Sequence, residues 1–263
     1  MAETNELVLV GGGNMGSALL GGLVAGGWDP QGIVVVEIDP EKRAAVESRF
    51  GVRTSDVIVG GAGAVIAVKP GGAVEVCAAL AERGTPRILS IAAGIGAAVL
   101  QDAAGDRAHV VRAMPNTPAL VGEGATAVSG SPACDESDMA WAEKVLGAVG
   151  IVVRVPESQM DAVTAVAGSG PGYLFLFAEA LLAAAIEEGL PAGVADTLVR
   201  QLFKGAGALL AASDESPATL RENVTSPNGT THAGLTVLES EGLRAAVHKA
   251  VRAAADRSRE MGR

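Results

Sequence analysis

Two short segments carry residue types spaced for chemistry. The first is Val8-Leu9-Val10-Gly11-Gly12-Gly13-Asn14-Met15-Gly16, which fits G-x-G-x-x-G at Gly11, Gly13 and Gly16. It follows the apolar run Leu7 to Val10 and opens a helical pattern. In that setting the first glycine permits a tight turn, the second lets the backbone approach a pyrophosphate, and the third lets the helix pack close to the strand. The helix start, with Asn14 and Met15, then offers unpaired N–H groups and a partial positive charge to an anion. The chemistry is that of a dinucleotide cradle; the bland alternative is a chance match in a chain with 35 glycines. The second segment is Thr225-Ser226-Pro227-Asn228-Gly229-Thr230-Thr231, ahead of a helical run from His232 to Leu238. Backbone N–H groups of Gly229 and Thr230 could hold a carboxylate there, with the hydroxyls of Thr230 and Thr231 nearby. Equally, Ser226 or Thr231 could simply cap the helix.

Further polar residues sit where strands should end. Glu37 lies 37 − 16 = 21 residues beyond the last motif glycine. A carboxylate there accepts hydrogen bonds from an adenosine ribose and repels a 2′-phosphate, which favours NAD(H). Lys42 and Arg43 follow closely and could pair with a 2′-phosphate instead. Open parallel sheets bind ligands beyond the carboxyl ends of their strands. Three turns occupy such positions: Val68-Lys69-Pro70, Ala92-Ala93-Gly94, and Met114-Pro115-Asn116-Thr117-Pro118. Lys69 could reach phosphate or ribose. Asn116, held in a rigid loop by its flanking prolines, could bond a nicotinamide or order a substrate. Ala167 to Tyr173 interrupts a helical region and includes the single tyrosine. Either two helices pack closely there, or its small residues and N–H groups face a ligand.

The elements that must position these residues follow from periodicity. Strands are predicted at Leu7 to Val10, Ile33 to Ile38, Ala64 to Val68, Ile88 to Ala92, Val110 to Ala113 and Ile151 to Val155. Helical spacing runs over Met15 to Ala25, Glu41 to Phe50 and Ala73 to Arg83 between them. Alternation of this kind predicts an α/β domain with a parallel sheet covered on both faces. From Pro156 onward no strand is predicted. Helical runs there cover Met160 to Val166, Tyr173 to Glu188, Val194 to Ala212 and Gly242 to Arg259, and residues 155 to 199 contain neither Lys nor Arg. An aliphatic stretch free of basic residues predicts a buried bundle or a subunit interface. The expected division is residues 1–155 and an all-helical 156–263.

Composition excludes several classes. The formal net charge is −10 and aromatics are 3%, so neither an attractive field nor a stacking surface exists for nucleic acid. Two cysteines cannot build a disulfide framework or a metal cluster. His109, His232 and His248 lack ligand spacing, so no metal is expected. The most apolar segment, Tyr173 to Ile186, is shorter than the roughly 20 residues a membrane span needs. It contains Glu179, which predicts a buried core helix rather than a membrane span. Met1 to Leu7 shows no basic region followed by an apolar core, so no signal peptide is visible and a soluble, cytoplasmic protein is expected.

Taken in order, five of these segments resemble pyrroline-5-carboxylate reductase: Gly11 to Gly16, Val68 to Pro70, Val111-Arg112-Ala113-Met114-Pro115-Asn116-Thr117-Pro118, Gly168 to Tyr173, and Thr225 to Thr231. The resemblance covers nearly the whole chain, and its last two segments are the specific ones. It implies a Rossmann domain followed by a helical domain that builds an interlocked dimer or larger homo-oligomer. It implies reduction of Δ1-pyrroline-5-carboxylate to L-proline with NAD(P)H, commonly NADPH, as the last step of proline biosynthesis. By position it implies that Ser226, Gly229, Thr230 and Thr231 hold the substrate, with Thr231 bonding the ring nitrogen as the catalytic contact. Gly11, Gly13, Asn14, Met15, Gly16, Glu37, Val68, Lys69, Pro70, Ala93, Gly94 and Asn116 would lie along the cofactor. An imine accepts hydride best once protonated and a pyrroline can take that proton from water, so such an enzyme needs alignment of two reactants more than a strong base. The sequence departs from the pattern at Asn228, where glycine is usual, and at Gly172, where alanine is usual. Segment Gly51 to Pro70 is short for strand–helix–strand, and Glu37-Ile38 lacks a group to greet a 2′-phosphate. The rival readings are a related imine or β-hydroxyacid reductase, or a non-catalytic dinucleotide-binding regulator. A β-hydroxyacid dehydrogenase would place a lysine on its central helix, which the stretch 155 to 199 lacks.

Overall fold

The computed structural model describes residues 5–262; of the segment read for a targeting signal, residues 1–4 lie outside them. By contacts the chain forms two compact units: one up to Ser169 with Ala254 to the C-terminus, the other Gly170–Ala253.

The first unit is built on eight strands: β1 (Leu7–Val10), β2 (Ile33–Val36), β3 (Arg53–Ser55), β4 (Ala64–Ile66), β5 (Arg87–Ser90), β6 (His109–Met114), β7 (Gly124–Gly130) and β8 (Gly150–Arg154). Their spatial order is β3-β2-β1-β4-β5-β6-β7-β8. The order reverses direction between β1 and β4, the place where open α/β sheets bind ligands. Both faces are buried because every central strand is apolar at successive positions. Leu7, Leu9, Val65 and Val111 pack beneath α1 (Asn14–Ala25) and α5 (Glu136–Leu146). Val8, Val10, Ile66 and Val110 pack beneath α3 (Ala73–Glu82) and α4 (Ala97–Ala104). Helix α2 (Pro40–Phe50) adds Val46 and Phe50 to the first cluster.

The sequence predicts a parallel sheet, and the sheet is parallel apart from one pair. β7 runs antiparallel to β6, and β8 runs parallel to β7. Only residues 115–123 join β6 to β7, too few for a crossover, so the chain must turn back. Between β3 and β4, residues 56–63 form neither helix nor strand, which accounts for the shortness of that segment.

No strand follows Arg154 among the described residues. The first unit continues through α6 (Met160–Val163) and a π-helical turn, Thr164–Gly168, before the second unit begins. The packing division therefore falls at Ser169 rather than at the last strand, because these turns rest on the sheet's edge. Residues 254–261, the end of α11 (Leu243–Met261), return to the same unit.

The second unit holds α7 (Gly170–Glu187), α8 (Ala192–Ala212), α9 (Pro217–Asn223), α10 (Thr230–Ser240) and the first half of α11. Phe177 and Phe203 join α7 to α8 edge to face, 6.3 Å between centroids. Contrary to the buried core helix expected from sequence, α7 has no buried residue, and Leu174, Phe175 and Leu176 are exposed. The helical run Glu157–Glu187, 31 residues, is also longer than expected and meets the length and composition of a span. A helix this apolar, packed on α8 but with Leu174, Phe175 and Leu176 left uncovered among the described residues, presents an unfinished interface.

Candidate active site

The glycine turn is shaped by its neighbours. Gly11 ends β1 at φ +110°, and an added Cβ would stand 2.6 Å from the Ala67 carbonyl oxygen. A Cβ on Gly16 would stand 2.1 Å from the Gly11 carbonyl oxygen. Gly13 differs: nothing lies within 4 Å of its Cβ position. The first and third glycines are thus demanded by the fold itself, whereas the second keeps space open outside it. Gly13 is the N-cap of α1, with no side-chain cap, and the first turn over Asn14, Met15 and Gly16 holds no acidic residue. A helix start with free N–H groups and open space in front of it fits a pyrophosphate.

Glu37 stands beside this turn. Its Oε2 accepts the Gly12 N–H at 2.9 Å and its Oε1 accepts the Asp39 N–H at 3.1 Å. Each oxygen retains acceptor capacity for a ribose hydroxyl. The two cations weighed for a 2′-phosphate are otherwise engaged. Arg43 Nη1 donates to the carbonyls of Glu37 (2.7 Å) and Ile38 (3.0 Å). Lys42 lies 3.7 Å from Asp39. Asp39 caps α2, and the N–H groups of Lys42 and Glu41 hold its carboxyl below the ordinary 3.8. The turn after β2, beside the glycine motif, therefore carries two carboxylates.

Val68, Lys69 and Pro70 follow β4, directly across from Gly11, and Lys69 is exposed. Ala93 and Gly94 follow β5; Gly94 takes φ +78° and lies against Met261. Asn116 is more committed than its loop position suggested. Its Oδ1 accepts the Ala125 N–H at 2.9 Å and its Nδ2 donates to the Ala167 carbonyl at 3.2 Å. It latches the β6–β7 turn to the π-turn, leaving one N–H and one acceptor position for a ligand. The Gly168–Tyr173 segment is not a helix break: Gly168 closes the π-turn and Gly170 opens α7. A Cβ at Gly168 would stand 2.6 Å from Met114 Cε, so close packing explains that glycine.

The Thr225–Thr231 segment belongs to the second unit. Gly229 is the N-cap of α10, and neither Ser226 nor Thr231 caps it. Instead the Gly229 N–H donates to the Ser226 carbonyl at 3.0 Å, folding the loop on itself. A Cβ at Gly229 would stand 2.4 Å from Ser226 Oγ. Asn228 holds φ +59°, a region that asparagine tolerates, so the turn forms without the usual glycine. Thr230, Thr231 and His232 begin the helix exposed. The result is a second uncapped helix start, flanked by hydroxyls, fit for a carboxylate. Gly172 has open space around its Cβ position and would accept alanine.

Among the described residues no three His, Cys, Asp or Glu side chains gather as a metal site. His109 pairs with Asp138 at 2.6 Å, and His232 and His248 are exposed. Spacing gave no reason to single out Glu157, which meets Arg112 at 2.5 Å. The available signal was Arg112 itself, a charged residue inside an otherwise apolar strand.

Residues 157–261 match the family model described as pyrroline-5-carboxylate reductase dimerisation, and residues 6–94 match that of the coenzyme F420-dependent NADP oxidoreductases. A pyrroline-5-carboxylate reductase of Synechocystis is 40% identical over 98% of both chains. One from Methanosarcina acetivorans is 37% identical over 99% of both. The solved structure of the Coxiella burnetii reductase superposes with TM-score 0.93 at 35% identity, covering 99% of this chain and all of that one. The Plasmodium falciparum pyrroline carboxylate reductase, solved with NADP bound, gives 0.85 at 28% over 99% of both. With identities of this order along its whole length, the chain belongs to the pyrroline-5-carboxylate reductase family.

Proposed function

We propose that this protein reduces Δ1-pyrroline-5-carboxylate to L-proline, drawing hydride from a nicotinamide dinucleotide. The observation that carries the reading is the presence of two uncapped, glycine-bounded helix starts, Gly13 and Gly229, in a chain 40% identical to a reductase of that name. The cofactor supplies the hydride; the chain supplies alignment. N–H groups at the start of α1 hold the pyrophosphate, and Glu37 accepts from the adenosine ribose. Val68, Lys69, Pro70, Ala93, Gly94 and Asn116 flank its path along the strand ends. Ser226, Gly229 and Thr230 hold the substrate carboxylate, and the Thr231 hydroxyl bonds the ring nitrogen. No strong base is present in the Ser226–Thr231 loop, and none is needed once the imine takes its proton from water.

Of the two cofactors, the twin carboxylates Glu37 and Asp39 with Arg43 turned to backbone carbonyls favour NADH. A homo-oligomer built on the helical unit is supported by the exposed apolar side chains of α7 and by the dimerisation model that matches it. A second copy of this chain, rather than a bilayer or a nucleic acid, is the partner this reading assigns to that face. Kinship to bacterial reductases of small metabolites agrees with a cytoplasmic setting.

The deciding experiment follows loss of nicotinamide absorbance with Δ1-pyrroline-5-carboxylate, run in parallel with NADH and NADPH. Turnover with either establishes the reaction. Measurable cofactor binding without turnover refutes it and returns the regulator or a different imine substrate.

A further inference from the structure

Of the helices that begin at the carboxyl edge of the sheet, α1 and α4 are treated differently by the chain. The start of α1 is open. The start of α4 is filled by the chain's own carboxylate: Glu157 Oε1 accepts the Ala97 N–H at 3.2 Å, where the helix dipole is positive. The same oxygen meets Arg112 Nη1 at 2.5 Å, and the Arg112 side chain is only 7% exposed. Glu157 Oε2 is buried without a hydrogen-bond partner. These groups line a cavity of about 370 Å³ together with Gly94, Gly96 and Asp161. On its far side the C-terminal turn closes on the same loop. Ser258 Oγ donates to Asp161 Oδ1 at 2.6 Å, and Met261 lies 3.2 Å from the Cβ position of Gly94.

We propose that the Arg112–Glu157 pair is a positioning device that holds the Ala92–Gly96 turn in the shape that receives the nicotinamide half of the cofactor. Arg112 fixes the carboxylate, the carboxylate fixes the Ala97 amide, and the turn between β5 and α4 is held at its far end. By filling the α4 start, the carboxylate also leaves the α1 start, whose first turn carries no acidic residue, as the open helix start beside the glycine turn. The inference rests on the dinucleotide reading of the glycine turn, but not on the identity of the imine.

The test is binding to the cofactor-free protein, with NADH and ADP-ribose as the two probes. ADP-ribose engages the glycine turn and lacks the nicotinamide. Glu157→Gln keeps an acceptor for Ala97 but removes the charge that Arg112 holds. The expected result is NADH affinity lowered about tenfold, ADP-ribose affinity changed less than twofold, and faster hydrogen exchange at the Ala97 amide without any ligand. Glu157→Asp, which keeps the charge and withdraws it by one methylene, should show the same asymmetry at about threefold. It carries the test if the glutamine variant fails to fold. Equal weakening of both ligands would mean a merely structural pair and overturn the proposal, as would no change in either. Wild-type protein that fails to bind ADP-ribose would instead overturn the dinucleotide reading beneath it.

Discussion

Glu37→Gln isolates the charge that the proposed cradle sets at an adenosine ribose. The substitution is isosteric, and a glutamine oxygen can still accept the Gly12 N–H, while the amide nitrogen in place of Oε1 forfeits the bond from the Asp39 N–H. What changes is the repulsion felt by a 2′-phosphate. At a separation of about 5 Å, two unit charges interact by ~0.8 kcal/mol in bulk water and ~3.3 kcal/mol at an effective dielectric of 20. A phosphate carrying close to two charges doubles this, to a range of about 1.7 to 6.6 kcal/mol. Every 1.4 kcal/mol is a factor of about ten, so even the lower bound predicts a preference for NADH of at least about tenfold. Arg43 does little to offset it, because its guanidinium is bonded to the carbonyls of Glu37 and Ile38. The assay is kcat/KM for each cofactor at saturating imine, in wild type and variant. The ratio of NADH to NADPH efficiency should fall at least about tenfold in Glu37→Gln, mostly through a lower KM for NADPH. A wild-type enzyme that already favours NADPH, or a ratio indifferent to the substitution, would refute the electrostatic argument.

Four further outcomes are expected. Gly13→Ala should leave the melting temperature unchanged, since its Cβ meets nothing, yet weaken dinucleotide binding at least about tenfold; Gly16→Ala should lower the melting temperature because its Cβ would stand 2.1 Å from a carbonyl oxygen. Calorimetry and cofactor titration separate the two, and equal melting of both variants would contradict the steric reading. Thr231→Ala should lower kcat/KM for the imine with cofactor affinity nearly intact, and a matching loss of cofactor binding would remove Thr231 from the substrate. Phe175→Glu with Leu176→Glu should convert a species of twice 26.2 kDa or more into a monomer by sedimentation; an unchanged mass would exclude α7 from the interface. Asp135 caps α5, and hydrogen bonds from Ser137 and the Asp138 N–H hold its carboxyl below 3.8. A depressed folded value means its contribution is complete above the unfolded value and fades as pH falls through the folded one. The stability gap between wild type and Asp135→Asn should therefore be constant above about pH 5 and close toward pH 2. A gap that widens in acid would reverse the sign.

How far sequence alone could reach depended on whether the cause was local. The strand–glycine–helix unit at Leu7 to Ala25 was legible because apolar run, motif and helical spacing coincide, and the structure keeps each within a residue or two. β3 was not legible: Arg53-Thr54-Ser55 is three half-buried polar residues whose strand character comes only from pairing with β2. β7, Gly124–Gly130, is made of small residues bounded by glycines, and its direction is set by the short connection before it. Helix α5 could have been found from the capping box of Asp135 and Asp138, a signal that needs no tertiary information. The site divides along the same line. Gly11, Gly13 and Gly16 announce themselves by spacing, and Thr225 to Thr231 by an unusual run of turn and hydroxyl residues. The double engagement of Asn116 by Ala125 and Ala167, and the meeting of Arg112 with Glu157 45 residues away, could not be read from sequence. Nor could the exposure of α7. An aliphatic stretch without Lys or Arg reads the same whether its own chain or another copy covers it. Hydropathy states that the face must be buried, and only the fold shows that this chain leaves it bare.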